Sequence, residues 1–166
     1  MIREGRCTVE RAKGALDATL SACDDGIAFI NDQLDEVKED ITANRYTQQR
    51  VMRERDGTLQ QLDENKRALE EAKRNGDKSE AYSRQQCIDR LEEIYGRQIE
   101  ETHSLERDQA ALEREKEQIC EHLDAAKYER DRLDREGHDL YNRLVEETEV
   151  TNRELQRQAD LIMNKR

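Results

Sequence analysis

Between residues 16 and 41 the apolar side chains fall at Leu16, Leu20, Cys23, Ile27, Ile30, Leu34, Val37 and Ile41, four and three residues apart in alternation. On an α-helix that spacing draws one narrow stripe, the seam of a coiled coil. With Leu20, Ile27, Leu34 and Ile41 as a positions and Leu16, Cys23, Ile30 and Val37 as d positions, the frame extends through Val51, Leu62 and Leu69. Asn44, Gln48, Arg55 and Thr58 interrupt it with polar groups.

A second frame starts near Ile88 and Leu91 and continues through Leu105, Leu112, Ile119, Ala126, Leu133 and Leu140 as d positions. Its a positions alternate between useful residues (Ile88, Tyr95, Leu123, Leu144) and unsuitable ones (Gln109, Lys116, Arg130, Gly137). The two frames are out of phase by about five residues, which neither a single insertion of four nor one of three supplies. The break lies at Lys73-Arg74-Asn75-Gly76-Asp77-Lys78-Ser79-Glu80. There Lys73 and Arg74 suit a helix C-terminus, and Asn75 and Gly76 can take the left-handed conformation that ends a helix. Asp77 with Glu80 then reads as a capping box opening the next helix.

The expected fold is therefore all-α, an antiparallel helical hairpin of long coiled-coil helices. Its parts are an N-terminal extension over 1–8, a first helix over 9–74, a turn over 75–79 and a second helix over 80–166. In an antiparallel pair the numbers of facing residues add to a constant, and a fold between Gly76 and Asp77 makes it 153. That sum sets a opposite d: Leu62 with Leu91, Ile41 with Leu112, Leu34 with Ile119, Ile30 with Leu123, Leu20 with Leu133, Val9 with Leu144, and polar Asn44 with polar Gln109. Val37 opposite Lys116, Cys23 opposite Arg130 and Gln48 opposite Leu105 are poor layers, so a further helix from a second copy or another protein is expected to complete the seam. From about residue 145 the second helix outruns the first. Its overhang carries Val150, Leu155, Leu161 and Ile162, candidates for end-to-end docking.

Composition sets the limits of function. Of 166 residues 42% are charged and 34% hydrophobic, with no Trp and no Pro, enough for a seam but not for a thick core. A net charge of −11 repels phosphate backbones, so no nucleic-acid partner is expected. No apolar run approaches the ~20 residues needed to cross a bilayer, and the first residues carry no secretory signal, which predicts a cytoplasmic protein without membrane insertion. Cys7, Cys23, Cys87 and Cys120 are widely spaced and read as reduced thiols.

Chemistry finds no foothold in this pattern. Carboxylates are plentiful, but a thin seam cannot bury them and exclude water, and there is no phosphate loop or nucleophile motif. Cys120 and His122 point to different helix faces, so no metal is expected, no cofactor either, and the chain is read as a non-enzyme. Acid-then-base pairs four apart, among them Glu80 with Arg84 and Glu93 with Arg97, read as solvated helix faces. Arg45, Arg50, Arg53 and Arg55 form a basic patch suited to an acidic partner, although the hairpin also sets them near Glu100, Glu101, Glu106 and Asp108.

In its charge-rich heptads the chain is similar to many cytoskeletal coiled-coil proteins, including those that decorate or line ciliary microtubules. It has neither the nonapeptide of tektins nor the rod-end segments of intermediate-filament proteins. The resemblance implies a structural role on a cytoskeletal filament, such as the axonemal microtubule of a cilium or flagellum, with helical or filament proteins such as tubulin as partners. The alternative is a coiled-coil adaptor or tether in membrane traffic or motor-cargo attachment, acting as a parallel dimer.

Overall fold

The computed structural model describes the backbone of residues 2–164 and the side chains of residues 5–164. Among these the fold is all-α: α1, Ile2–Asn75, and α2, Lys78–Met163, run antiparallel and are joined by Gly76 and Asp77. Both helices start earlier than expected, α1 at Ile2 instead of Val9 and α2 at Lys78 instead of Glu80. Glu, Gln, Lys, Arg, Leu and Ala, all strong helix formers, make up most of the chain, with no proline to interrupt the helices. Exposed pairs such as Arg84 to Glu80 (2.7 Å) and Arg97 to Glu93 (3.6 Å) add a few tenths of a kcal/mol each.

The turn is built from two interlocked caps. Gly76 has φ +72°, its N–H donates to the Lys73 carbonyl (3.3 Å), and the Asp77 N–H reaches back to the Ala72 carbonyl (3.0 Å). This is the six-to-one and five-to-two pattern of a Schellman motif, with glycine at the one left-handed position. Asp77 then starts α2, its carboxylate accepting the Glu80 N–H at 3.0 Å. Only this half of the expected capping box forms. The Asp77 N–H is already committed to Ala72, and the Glu80 carboxylate turns instead to Arg84.

The chain divides into two compact units, each made of facing segments of both helices. In the unit spanning residues 34–118, Leu62, Leu69 and Ile88 form a buried cluster with Ala81, Leu91 and Tyr95 packed on it, and Val51 is fully buried. Beyond it the seam turns polar. Asn44 Nδ2 donates to Gln109 Oε1 (3.0 Å) and to the Leu105 carbonyl (3.1 Å), the layer at which two amides were expected to meet. Gln48 donates to the same carbonyl (3.0 Å), so its position opposite Leu105 does not strand a buried amide. Buried Thr58 and Thr102 satisfy their hydroxyls on the carbonyls of Glu54 and Gln98, four residues back on their own helices. Arg55 Nε and Gln98 Oε1, whose numbers also add to 153, are buried without hydrogen-bond partners.

In the other unit, residues up to 33 and from 119 onward, the seam departs from a strict heptad. On α2 the sheltered positions run Leu133, Gly137, Tyr141, Leu144 and Thr148, whereas Leu140, expected at a d position, is 65% exposed. On α1 they run Val9, Ala12, Leu16, Leu20 and Cys23. Each helix thus inserts two successive steps of four, the signature of a stutter, which relaxes the supercoil locally. The stutters occupy residues 12–20 and 133–141, and these are the same layers read from opposite directions, so the constant of 153 survives. Two glycine contacts carry it through: a Cβ on Gly137 would overlap Leu16, and one on Gly5 would lie 3.0 Å from Thr148 Cγ2.

Two substitutions test this account by thermal unfolding followed by circular dichroism. Gly137→Ala places a methyl group into Leu16 and should destabilise the protein by about 1–3 kcal/mol, less the ~1 kcal/mol gained in helix propensity. Gly14→Ala meets open space and should stabilise by up to ~1 kcal/mol. Equal effects from the two would remove the close approach from the account. At the turn, Gly76→Ala forces an L-residue to positive φ and should cost about 1–2 kcal/mol.

Candidate functional site: interaction surfaces

Among the described residues, full burial is confined to the a and d positions of the seam. The best-defined depressions are open surface grooves, such as the one lined by Lys66, Arg67, Glu70, Glu71, Arg74 and Asn75. Cys7 and Cys87 are exposed, Cys23 and Cys120 half-buried, and all four are unpaired. Among the described residues no three metal-ligating side chains converge, and no helix is long and apolar enough to cross a membrane. Candidate sites are therefore surfaces.

The arginine patch does not close onto the carboxylates expected to face it. Arg45 crosses to α2 but meets Glu113, at 2.9 Å, a turn beyond Asp108. Arg50 pairs with Glu54 on its own helix (3.0 Å), and Arg55 lies 3.8 Å from Asp56. Arg53 makes no cross-helix pair among the described residues. The reason is direction: Arg50 and Arg53 project from the solvent side of α1, while Arg55 occupies an a position with its side chain 28% exposed. Cross-helix pairing occurs in the other unit as well. Arg130 leaves the seam position opposite Cys23 to bond Asp24 (3.0 Å) and also Asp134 (3.2 Å). The Asp24 hydrogen bond and charge raise its pKa above the ordinary value, against some desolvation and with smaller help from Asp134 and Asp131.

At the C-terminus the overhang is shorter than expected, because α1 begins early enough to set Gly5 against Thr148, beyond the expected layer of Val9 with Leu144. Thr148, Thr151, Asn152 and Leu155 line a groove with Gly5 and Thr8, and Leu155 is half-buried. Residues 156–164 are all exposed, Leu161 at 63% and Ile162 at 65%, and Val150 is 52% exposed on the outer side. The four candidates thus fall into separate settings: Leu155 belongs to the groove, Val150 to the solvent face, Leu161 and Ile162 to the exposed last turns of α2. Asn75, Gly76, Asp77 and Glu80 are occupied in forming the turn.

One surface was not singled out from the sequence, although Arg45 belongs to it, because its apolar residues lie outside the a and d positions. Arg45 pairs with Glu113, and three heptads along α1 Lys66 pairs with Glu92 (3.4 Å). These four residues lie on one flank of the seam, at the e positions of both helices. The heptads between them place Met52 with Glu106, and Leu59 with Ile99, on the same flank. Met52 is 46% exposed, Leu59 38% exposed and Ile99 half-buried. The signal was available: Met52, Leu59 and Ile99 are apolar at positions where a two-helix coiled coil carries charge. Compared with known proteins, the chain matches no family model, no curated protein and no solved structure.

Proposed function

We propose that this chain is a structural protein, a helical hairpin that assembles laterally with other helical proteins on a cytoskeletal filament. An axonemal microtubule of a cilium or flagellum, with tubulin among the contacts, is the specific setting the reading favours. The carrying observation is the mismatch between what the seam buries and what the chain leaves open. The seam contains charged and amide layers, while Met52, Leu59, Phe29 and the end of α2 present apolar side chains to solvent. A chain built this way gains stability on assembly, since binding to the folded form shifts the folding equilibrium. We assign no reaction to it, since the depressions among the described residues are open grooves that do not hold a substrate away from water. The fold-back supports this reading over an adaptor or tether, which required a parallel dimer of long helices.

The test is the location and neighbours of the native protein. Cell fractionation with cross-linking mass spectrometry should recover it with detergent-insoluble filaments, its cross-links running to helical or tubulin-like neighbours. Recovery with detergent-soluble vesicles, cross-linked to membrane-traffic components, would overturn the proposal in favour of the tether.

A further inference from the structure

We infer that the Met52, Leu59 and Ile99 flank binds a second copy of this chain, giving a four-helix assembly in which the twofold axis runs along the hairpin. On this flank the bases, Arg45 and Lys66, are all on α1, and the acids, Glu92, Glu106 and Glu113, are all on α2. A twofold axis along the hairpin lays α1 of each copy against α2 of the other at the same level, each helix antiparallel to its neighbour. Arg45 then faces Glu113 of the second copy and Lys66 faces Glu92, so each base sits between two carboxylates. Leu59 meets Ile99 across the interface, and Met52 fills the space beside them. A twofold axis across the hairpin would instead set α1 on α1 and base on base, so the charges also select the direction of pairing.

The opposite flank cannot serve. Its heptad positions carry Asp40, Thr47, Glu54, Gln61 and Ala68 on α1, and Cys87, Ile94, Glu101 and Asp108 on α2. With acids on both helices and bases on neither, every twofold arrangement brings like charges together. The layer beneath the proposed contact is also the one the hairpin leaves incomplete, since Arg55 Nε and Gln98 Oε1 are buried there without partners. Four rungs at heptad spacing span about 30 Å, and two helices side by side are about 20 Å wide. The contact is then roughly 600 Å² per copy, at the low end for a specific dimer, which predicts micromolar association.

Sedimentation equilibrium of the purified full-length chain tests this independently of where the protein resides in the cell. The wild type should be dimeric at high micromolar concentration. Arg45→Glu with Lys66→Glu makes the flank wholly acidic, Glu92→Lys with Glu113→Lys makes it basic, and each double variant alone should sediment as a monomer. Mixed in equal amounts they should form a dimer again, because complementary flanks now lie on different molecules; two unfolded variants could not produce that rescue. Leu59→Gln, which leaves every ion pair in place, should weaken association by about tenfold or more. A monomeric wild type, double variants that remain dimeric, or a mixture that stays monomeric would each overturn the assignment.

Discussion

Everything in this protein depends on a seam only two side chains wide. In a globular core a misplaced polar group can be bypassed by repacking its neighbours, but here each layer holds one residue from each helix and has no third contributor. Apolar layers such as Leu62 with Leu91 supply the burial, while the amide layer of Asn44 with Gln109 supplies alignment. Sliding one helix along the other by a single turn would strand those amides against aliphatic groups, which costs more than a shift among aliphatics alone. Register is therefore fixed by a few polar residues and stabilised by many apolar ones.

The stutter in the unit of residues up to 33 and from 119 onward shows how strictly the pairing is kept. A phase change on one helix alone would rotate its apolar stripe away from its partner. Here both helices change phase at the same layers, so Leu16 and Gly137 remain opposed although Leu140 turns outward. Glycine at 137 is part of that solution, because relaxing the supercoil brings the Leu16 side chain onto the α2 backbone. A residue that looks like a weakness in a helix of this length is a point of contact between the two helices.

Because the seam consumes so little of each helix, most of the surface is left for recognition. Between residues 34 and 118 the flanks beside it differ in kind: one sorts positive and negative side chains onto separate helices around an apolar centre, the other carries acids on both. Such asymmetry gives that unit a preferred side for the further helices of the proposed assembly. The grooves, the scattered cysteines and the exposed carboxylates add no competing site.

Helical class, the turn at Gly76 and the alignment of the two frames were all legible in the order of residues. Each follows from local chemistry: the 3.5-residue recurrence of aliphatics, the left-handed tolerance of glycine, and the fixed sum of facing numbers that a tight turn imposes. The half-formed capping box, the outward Leu140, the Gly137 contact and the actual partners of the arginines were not legible. Those depend on which of several nearby groups reaches a given hydrogen or charge first once two helices are side by side. Periodicity determines which way a side chain leaves its own helix; only the approach of the second helix decides what it meets there.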